Sequence, residues 1–219
     1  MIAQELPLQY ALRFGDNTDY RRRVWAHLIS YFSRWIPPES VVLDVGCGWG
    51  EFINAVHARQ RIGMDLNPES ARRLAPDVTF LRQDCSASWQ VAPASLDVVF
   101  SSNFFEHLPD KESLRRTLAE AHRSLKPGGR LICMGPNIRY LPGRYWDFWD
   151  HYLPLTDRSM SEGLRLAGFS IERSIARFLP YSMSQGVEPP VAFLRLYLRM
   201  PFVWRLFGKQ FLIVAVKTA

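Results

Sequence analysis

Cysteine is scarce: the chain of 219 residues holds three, Cys47, Cys85 and Cys133, with no C-x-x-C pair and no His/Cys cluster at metal-ligand spacing. That pattern excludes a disulfide framework and a zinc-type ligand set, and separated thiols suit a reducing cytoplasm. The first twenty residues, "MIAQELPLQYALRFGDNTDY", lack a basic leader followed by an apolar stretch, and no apolar run anywhere reaches spanning length. Neither secretion nor a spanning helix is therefore expected. Internal repeats and low-complexity segments are also missing. The formal net charge is +6, yet only Arg21, Arg22 and Arg23 form a basic run. A solvated helix face explains that run as well as phosphate contacts do, so nucleic acid is not an expected partner.

What is present is enough apolar material, 47% of residues, for one sizeable core. We expect a single domain over residues 1–219, with an N-terminal helical cap over 1–38 and a lid or interface insert over 179–209. In "NTDYRRRVWAHLISYFSRWI" the spacing of Val24, Leu28, Phe32 and Trp35 predicts a helix that Asn17 or Asp19 can cap. Strands are then predicted at "VVLDV", "RIGMDL", "VTFLRQD", "LDVVFS" and "RLICMG", with helices at "EFINAVHA", "PESARRLA" and "DKESLRRTLAEAHRSL" between them. Strands separated by helices need crossover connections, which implies an α/β fold with a mostly parallel sheet covered on both faces. "RSMSEGLRLAGF" reads as a further helix, and "SIERSIARF" and "QFLIVAVKTA" as two closing strands that form an antiparallel hairpin around the insert. Ligands in such sheets sit beyond the strands' carboxyl ends, where the strand order switches.

The first strand ends in Gly46, Gly48 and Gly50, where a missing Cβ permits a sharp turn and close approach of a ligand to the backbone. Asp65 closes the next strand, nineteen positions beyond Gly46. A carboxylate there can accept hydrogen bonds from the hydroxyls of an adenosine ribose. A nicotinamide dinucleotide would want its third glycine at position 51, and Glu51 stands there instead. Negative charge at that point opposes a pyrophosphate and favours a ligand with a cationic centre and an amino acid tail.

"VVLDVGCGWGEF", "GMDLNP", "RQDCS", "LDVVFSSNFFEHLPD" and "LKPGGRLICMGPN", in this order, resemble the class I S-adenosylmethionine-dependent methyltransferases over about residues 40 to 176. The resemblance implies a Rossmann-like methyltransferase fold of seven strands and S-adenosyl-L-methionine as cofactor. It further implies that Gly46, Gly48 and Gly50 shape the methionine side of the pocket, with Asp44 supporting the turn. Asp65, with Leu66 beside it, would hold the ribose, Asp84 and the backbone of Cys85 the adenine, and Ser102 and Asn103 would line the sulfonium. No compact carboxylate or histidine cluster points to a metal.

The acceptor side is carried by two further stretches. Methyl transfer to an alcohol needs a base, and His107 of "NFFEHL" is one candidate. "RYWDFWDHYLPLT" offers His151 as another, with Asp150 as its orienting partner, and its aromatic rings with interspersed carboxylates suit a sugar. A "D-H-x-x-P-L-T" segment followed by "AGF" and "RFLPY" resembles a bacterial methyltransferase subgroup associated with polysaccharide and cell-envelope biosynthesis. An N-P-P-[YF] signature is missing after the fourth strand, which argues against methylation of a nucleobase or amide nitrogen. The insert "VAFLRLYLRMPFVWRLFGK" alternates apolar and basic residues without an acid, which suits a lid, a homodimer contact or a peripheral membrane contact. The leading expectation is O-methylation of a small-molecule, glycan or lipid-linked acceptor of the cell envelope. Methylation of a small aromatic or quinone-like metabolite, provided the insert and the Trp-rich loop enclose a narrow apolar pocket, is the alternative, beside RNA and a non-catalytic S-adenosylmethionine-binding module.

Overall fold

The computed structural model describes Leu6, Leu8, Tyr10 and residues 18–181 and 189–218. The expected cap Asn17, most of the first seventeen residues of the helical cap, part of the insert and Ala219 lie outside the described residues. In chain order the elements are α1 (Thr18–Phe32), β1 (Val41–Val45), β2 (Gln60–Met64), β3 (Val78–Leu81), β4 (Leu96–Ser102), α2 (Lys111–Ser124), β5 (Leu125–Pro136), α3 (Asp157–Leu166), β6 (Phe169–Ile175), α4 (Val191–Leu198), α5 (Pro201–Phe207) and β7 (Gln210–Lys217). The seven strands form one sheet in the order β3-β2-β1-β4-β5-β7-β6. Pairs among the first five are parallel, while β7 runs antiparallel to both β5 and β6. The expected architecture is thus present, hairpin included.

The strands read as continuous apolar runs because both sheet faces are covered. Val42, Val98, Phe100 and Ile132 pack on one face with Leu28 and Phe32 of α1. Their neighbours Leu43, Val99, Leu131 and Cys133 pack on the other with Leu118 of α2 and with Met160 and Leu164 of α3. This is the period-two alternation of a strand, applied to a sheet with two cores. The helix starts are chemically specified as well: the Asp110 carboxylate accepts from Ser113 N at 2.7 Å, and Thr156 with Ser159 forms a reciprocal capping box at α3.

Three expectations are corrected. The predicted helix "EFINAVHA" is a succession of turns over residues 51–56. Its Ile53 and Asn54 carbonyls accept from the Arg61 guanidinium, and the Asn54 side chain bonds Arg73 O and Ala75 N, so the groups that would propagate a helix are engaged elsewhere. The fifth strand begins at Leu125, not at Arg130, and takes in the "KPGG" that was expected to lie outside it. "PESARRLA" forms a 3-10 turn over Pro68–Arg72. Among the described residues no helix is long and apolar enough to cross a membrane.

The strand order reverses at β1, which lies between β2 and β4. Register then places Val45 beside Met64 and Asp44 beside Phe100, so the segments after all three strands emerge at one edge of the sheet.

Candidate functional site

At that edge Gly46 carries a φ of +73°, and a Cβ on it would lie 2.2 Å from the Phe104 ring. Only glycine fits there. Gly46 N and Cys47 N both donate to Met64 O, at 2.9 and 3.1 Å, which ties the turn to β2. Asp65 is buried and gathers the turn around itself: one carboxylate oxygen accepts from Gly48 N at 2.8 Å and from the Tyr10 hydroxyl at 3.4 Å, the other from Asn67 N at 2.8 Å. Burial lifts its pKa, and the Asn67 and Gly48 amides counteract that only in part. Asp44, also buried, is pushed well above the usual carboxylate range by burial, with Glu51 and Asp65 adding to the effect. Glu51 itself is paired with Arg21 at 2.6 Å, which offsets the negative charge expected at that position. A cationic ligand restores the charged form of such carboxylates, and this donor set fits a sulfonium with an ammonium-bearing tail.

Two cavities adjoin at this edge. One, of about 350 Å³, is lined by Asp65, Leu66, Asp84 and Cys85 together with Asp150. The other, of about 330 Å³, is lined by Asp44, Gly48, Ser102 and His151 and by the rings of Trp25, Phe100, Phe148 and Tyr181. Tyr10, Gly46, Asn103 and His107 belong to both walls. Among the sequence-predicted site residues, Gly50 alone lies on neither wall: it packs against Leu74 and Asn54 and serves the turn's backbone. Asp84 is exposed at its cavity's rim and accepts from Ser86 N and Ser86 Oγ, each at 2.8 Å. The Cys85 carbonyl accepts from Trp89 Nε1 at 2.7 Å. Asn103, at φ +50°, donates its backbone amide to Met134 O and its side-chain amide to Ser102 Oγ, while its Oδ1 is buried without a hydrogen-bond partner. An orphaned acceptor where both cavities meet is a second feature that suits a bound cation or donor.

The two histidines come together at the walls of these cavities, with ring centroids 4.9 Å apart. His107 Nδ1 lies 2.9 Å from Asp150 O and 3.1 Å from Asp150 Oδ2, whereas His151 Nδ1 lies 2.8 Å from Tyr145 O. Asp150 therefore orients His107, not His151 as the sequence suggested. Burial works against charge on His107, but the Asp150 hydrogen bond and the Glu106 and Asp150 charges outweigh it and raise its pKa. Glu106, His107 and His151 each place one donor atom within 4.8 Å of the others. The expectation that no such cluster exists is thereby corrected, since the separation between residues 107 and 151 hid it.

The Trp-rich loop is oriented differently from expectation. Phe148, Asp150 and His151 face the cavities, but Tyr145 is fully buried with its hydroxyl 2.5 Å from Leu153 O, and Trp149 is 86% exposed. Tyr10, Glu106, Trp25 and Tyr181 line or adjoin the site without having been singled out for it. Of these only Glu106 left a signal, as half of the E-H pair.

The sequence model of a family described as "Methyltransferase domain" matches residues 18–174. Among curated proteins, the chain is 29% identical over 153 residues to a 2-methyl-6-phytyl-1,4-hydroquinone methyltransferase of Synechocystis, covering 61% of the chain and 47% of that protein. It is 38% identical over 100 residues to a ubiquinone biosynthesis O-methyltransferase of Idiomarina loihiensis, covering 42% of the chain and 40% of that protein. The chain thus spans less than half the length of either relative. Among solved structures, a SAM dependent methyltransferase from Archaeoglobus fulgidus superposes with a TM-score of 0.69 at 19% identity, covering 97% of this chain and 99% of that one, a likeness of fold.

Proposed function

Since the chain belongs to the methyltransferase-domain family, whose sequence model covers residues 18–174, we propose that it transfers a methyl group from S-adenosyl-L-methionine to a hydroxyl of a small aromatic or quinone-like acceptor. The observation that carries this reading is the pair of adjoining cavities, one with the carboxylates for a nucleoside, the other walled by aromatic rings, with His107 on both walls. S-adenosyl-L-methionine supplies a methyl carbon already activated by its sulfonium. Asp65 would accept from the ribose hydroxyls, Asp84 and the backbone at Cys85 and Leu66 would flank the adenine, and Asp44 with the Gly46–Gly48 backbone would receive the amino acid tail. Ser102 and Asn103 would border the sulfonium.

The remaining work is alignment and proton removal. Phe148 and Tyr181 would hold a ring in place, and the buried Trp25 and Phe100 behind them make the wall apolar and exclude water from the methyl path. His107, with its Nδ1 hydrogen held by Asp150, presents Nε2 as base toward the acceptor hydroxyl, and Glu106 nearby stabilises the imidazolium that results. His151 packs on Phe148, its Nδ1 held by the Tyr145 carbonyl, and serves as a wall of the acceptor cavity.

A ring acceptor is favoured over a glycan because Phe148 of the loop and Tyr181 at the insert's edge join Trp25 and Phe100 in an aromatic wall, while Trp149 points to solvent. The curated relatives named for quinone pathways support the same choice. The test is incubation with labelled donor and matched pools of phenols and hydroquinones, envelope glycan precursors and RNA. Label is expected in the phenol and hydroquinone pool and lost with His107→Gln; label confined to glycan or RNA overturns the acceptor assignment.

A further inference from the structure

The insert between β6 and β7 carries α4 and α5, and both leave large apolar side chains in solvent. Phe193 and Leu196 of α4 and Phe202, Leu206 and Phe207 of α5 are each at least 54% exposed. The exposed Arg195, Arg199 and Arg205 alternate with them, and residues 190–209 contain no acid. Neither set of side chains lines a cavity of the site.

The helices are anchored from their other side. Val191, Leu198 and Trp204 are buried, Trp204 Nε1 donates to Tyr197 O at 2.7 Å, and the Tyr197 hydroxyl donates to Phe178 O at 2.6 Å. Arg177 donates to Gly208 O and Leu206 O at the end of α5. The outward Phe and Leu side chains are therefore dispensable for holding the insert, and leaving them in water costs free energy unless something covers them. Phe178, which the insert packs on through Trp204, is followed by Pro180 and Tyr181 on the wall of the aromatic cavity.

The charge pattern selects the covering partner. A second copy packed face to face across a two-fold axis would set arginines against the same arginines, with no acid in the segment to separate them. A layer of phosphate headgroups over hydrocarbon matches both halves of the pattern: arginines pair with phosphates while Phe and Leu enter the interface. We propose that α4 and α5 form a membrane-surface contact that seats this protein on anionic phospholipid.

The experiment is co-sedimentation of the full chain with vesicles of phosphatidylcholine alone and of phosphatidylcholine mixed with phosphatidylglycerol. The protein should bind the anionic vesicles at least about tenfold more tightly, and high salt should weaken that preference. At about fivefold per arginine near the surface, Arg199→Gln combined with Arg205→Gln should weaken anionic binding roughly 30-fold. Phe202→Ser combined with Leu206→Ser should weaken binding at both compositions, and unchanged thermal melting and S-adenosyl-L-methionine binding would show that these variants are folded. Equal binding to the two vesicle types, or retention of binding in the folded variants, overturns the proposal. So does a dimer in size-exclusion chromatography that the serine variant dissociates while wild type ignores vesicles.

Discussion

Asp65→Asn bears directly on the donor site, because one atom changes while the shape stays. A carboxylate has about four acceptor directions. In Asp65 two are taken by the Gly48 and Asn67 amides, both at 2.8 Å, the Leu66 amide also bears on the carboxylate, and Tyr10 holds a further direction only weakly at 3.4 Å. That weak contact is the one a ribose hydroxyl would displace. The Asn amide group must replace one of the two oxygens, and wherever it goes a donor then faces a backbone N–H. Losing that bond and leaving the amide unsatisfied costs about 1–3 kcal/mol of stability. Against a usual stability of about 5–15 kcal/mol the chain stays folded. Its melting temperature should fall by roughly 2–12 °C. Binding suffers separately: a hydrogen bond to a charged group contributes about 1.5–3 kcal/mol, so Kd for S-adenosyl-L-methionine should rise roughly 10- to 150-fold. Titration calorimetry on protein shown by circular dichroism to be folded measures this. An affinity within about threefold of wild type would refute the ribose assignment.

Three other perturbations probe the remaining parts. As the proposed base, His107 would act only when neutral, and its raised pKa means that kcat should fall as pH drops through a value above the ordinary histidine range near 6.5. Asp150→Asn removes a cause of that elevation, so the acid limb should move to lower pH; a limb that stays in place would disconnect Asp150 from the base. Gly46→Ala forces a Cβ into the Phe104 ring at a φ of +73°, and should weaken S-adenosyl-L-methionine binding by at least about tenfold as the ring is driven toward the cavity, with a lowered melting temperature. Wild-type affinity in that variant would show that the turn does not shape the site. Phe32→Ala empties a fully buried position among Phe100, Phe178 and Tyr31 and should cost about 3–5 kcal/mol in denaturant unfolding. A loss under about 1 kcal/mol would mean that α1 is not part of the core.

The parts of this molecule that could be read in the sequence are those where one local rule acts alone. "VVLDV" predicts a two-sided buried strand because nothing but covered faces accommodates such a run, and all five residues are buried. The turn that follows is legible because only glycine tolerates its backbone, and Asp65 because a strand end fixes where its carboxylate emerges. The helix after the turn failed because its apolar spacing was correct but its carbonyls were claimed by Arg61 from the next strand, a contact with no local trace. Residues 144–151 failed for a related reason. A run without a two- or 3.6-residue period has no face, so composition says that rings are present without saying which way they turn. Direction came instead from individual hydrogen bonds: Tyr145 turns inward because its hydroxyl reaches Leu153 O, and His151 is held by the Tyr145 carbonyl. Asp150, anchored between them, is left to bond His107 from across the cleft. The pairing of the proposed base with its partner is thus set by the folding of an irregular loop onto the end of β4, which is why the sequence offered two histidines and the geometry ties the carboxylate to one.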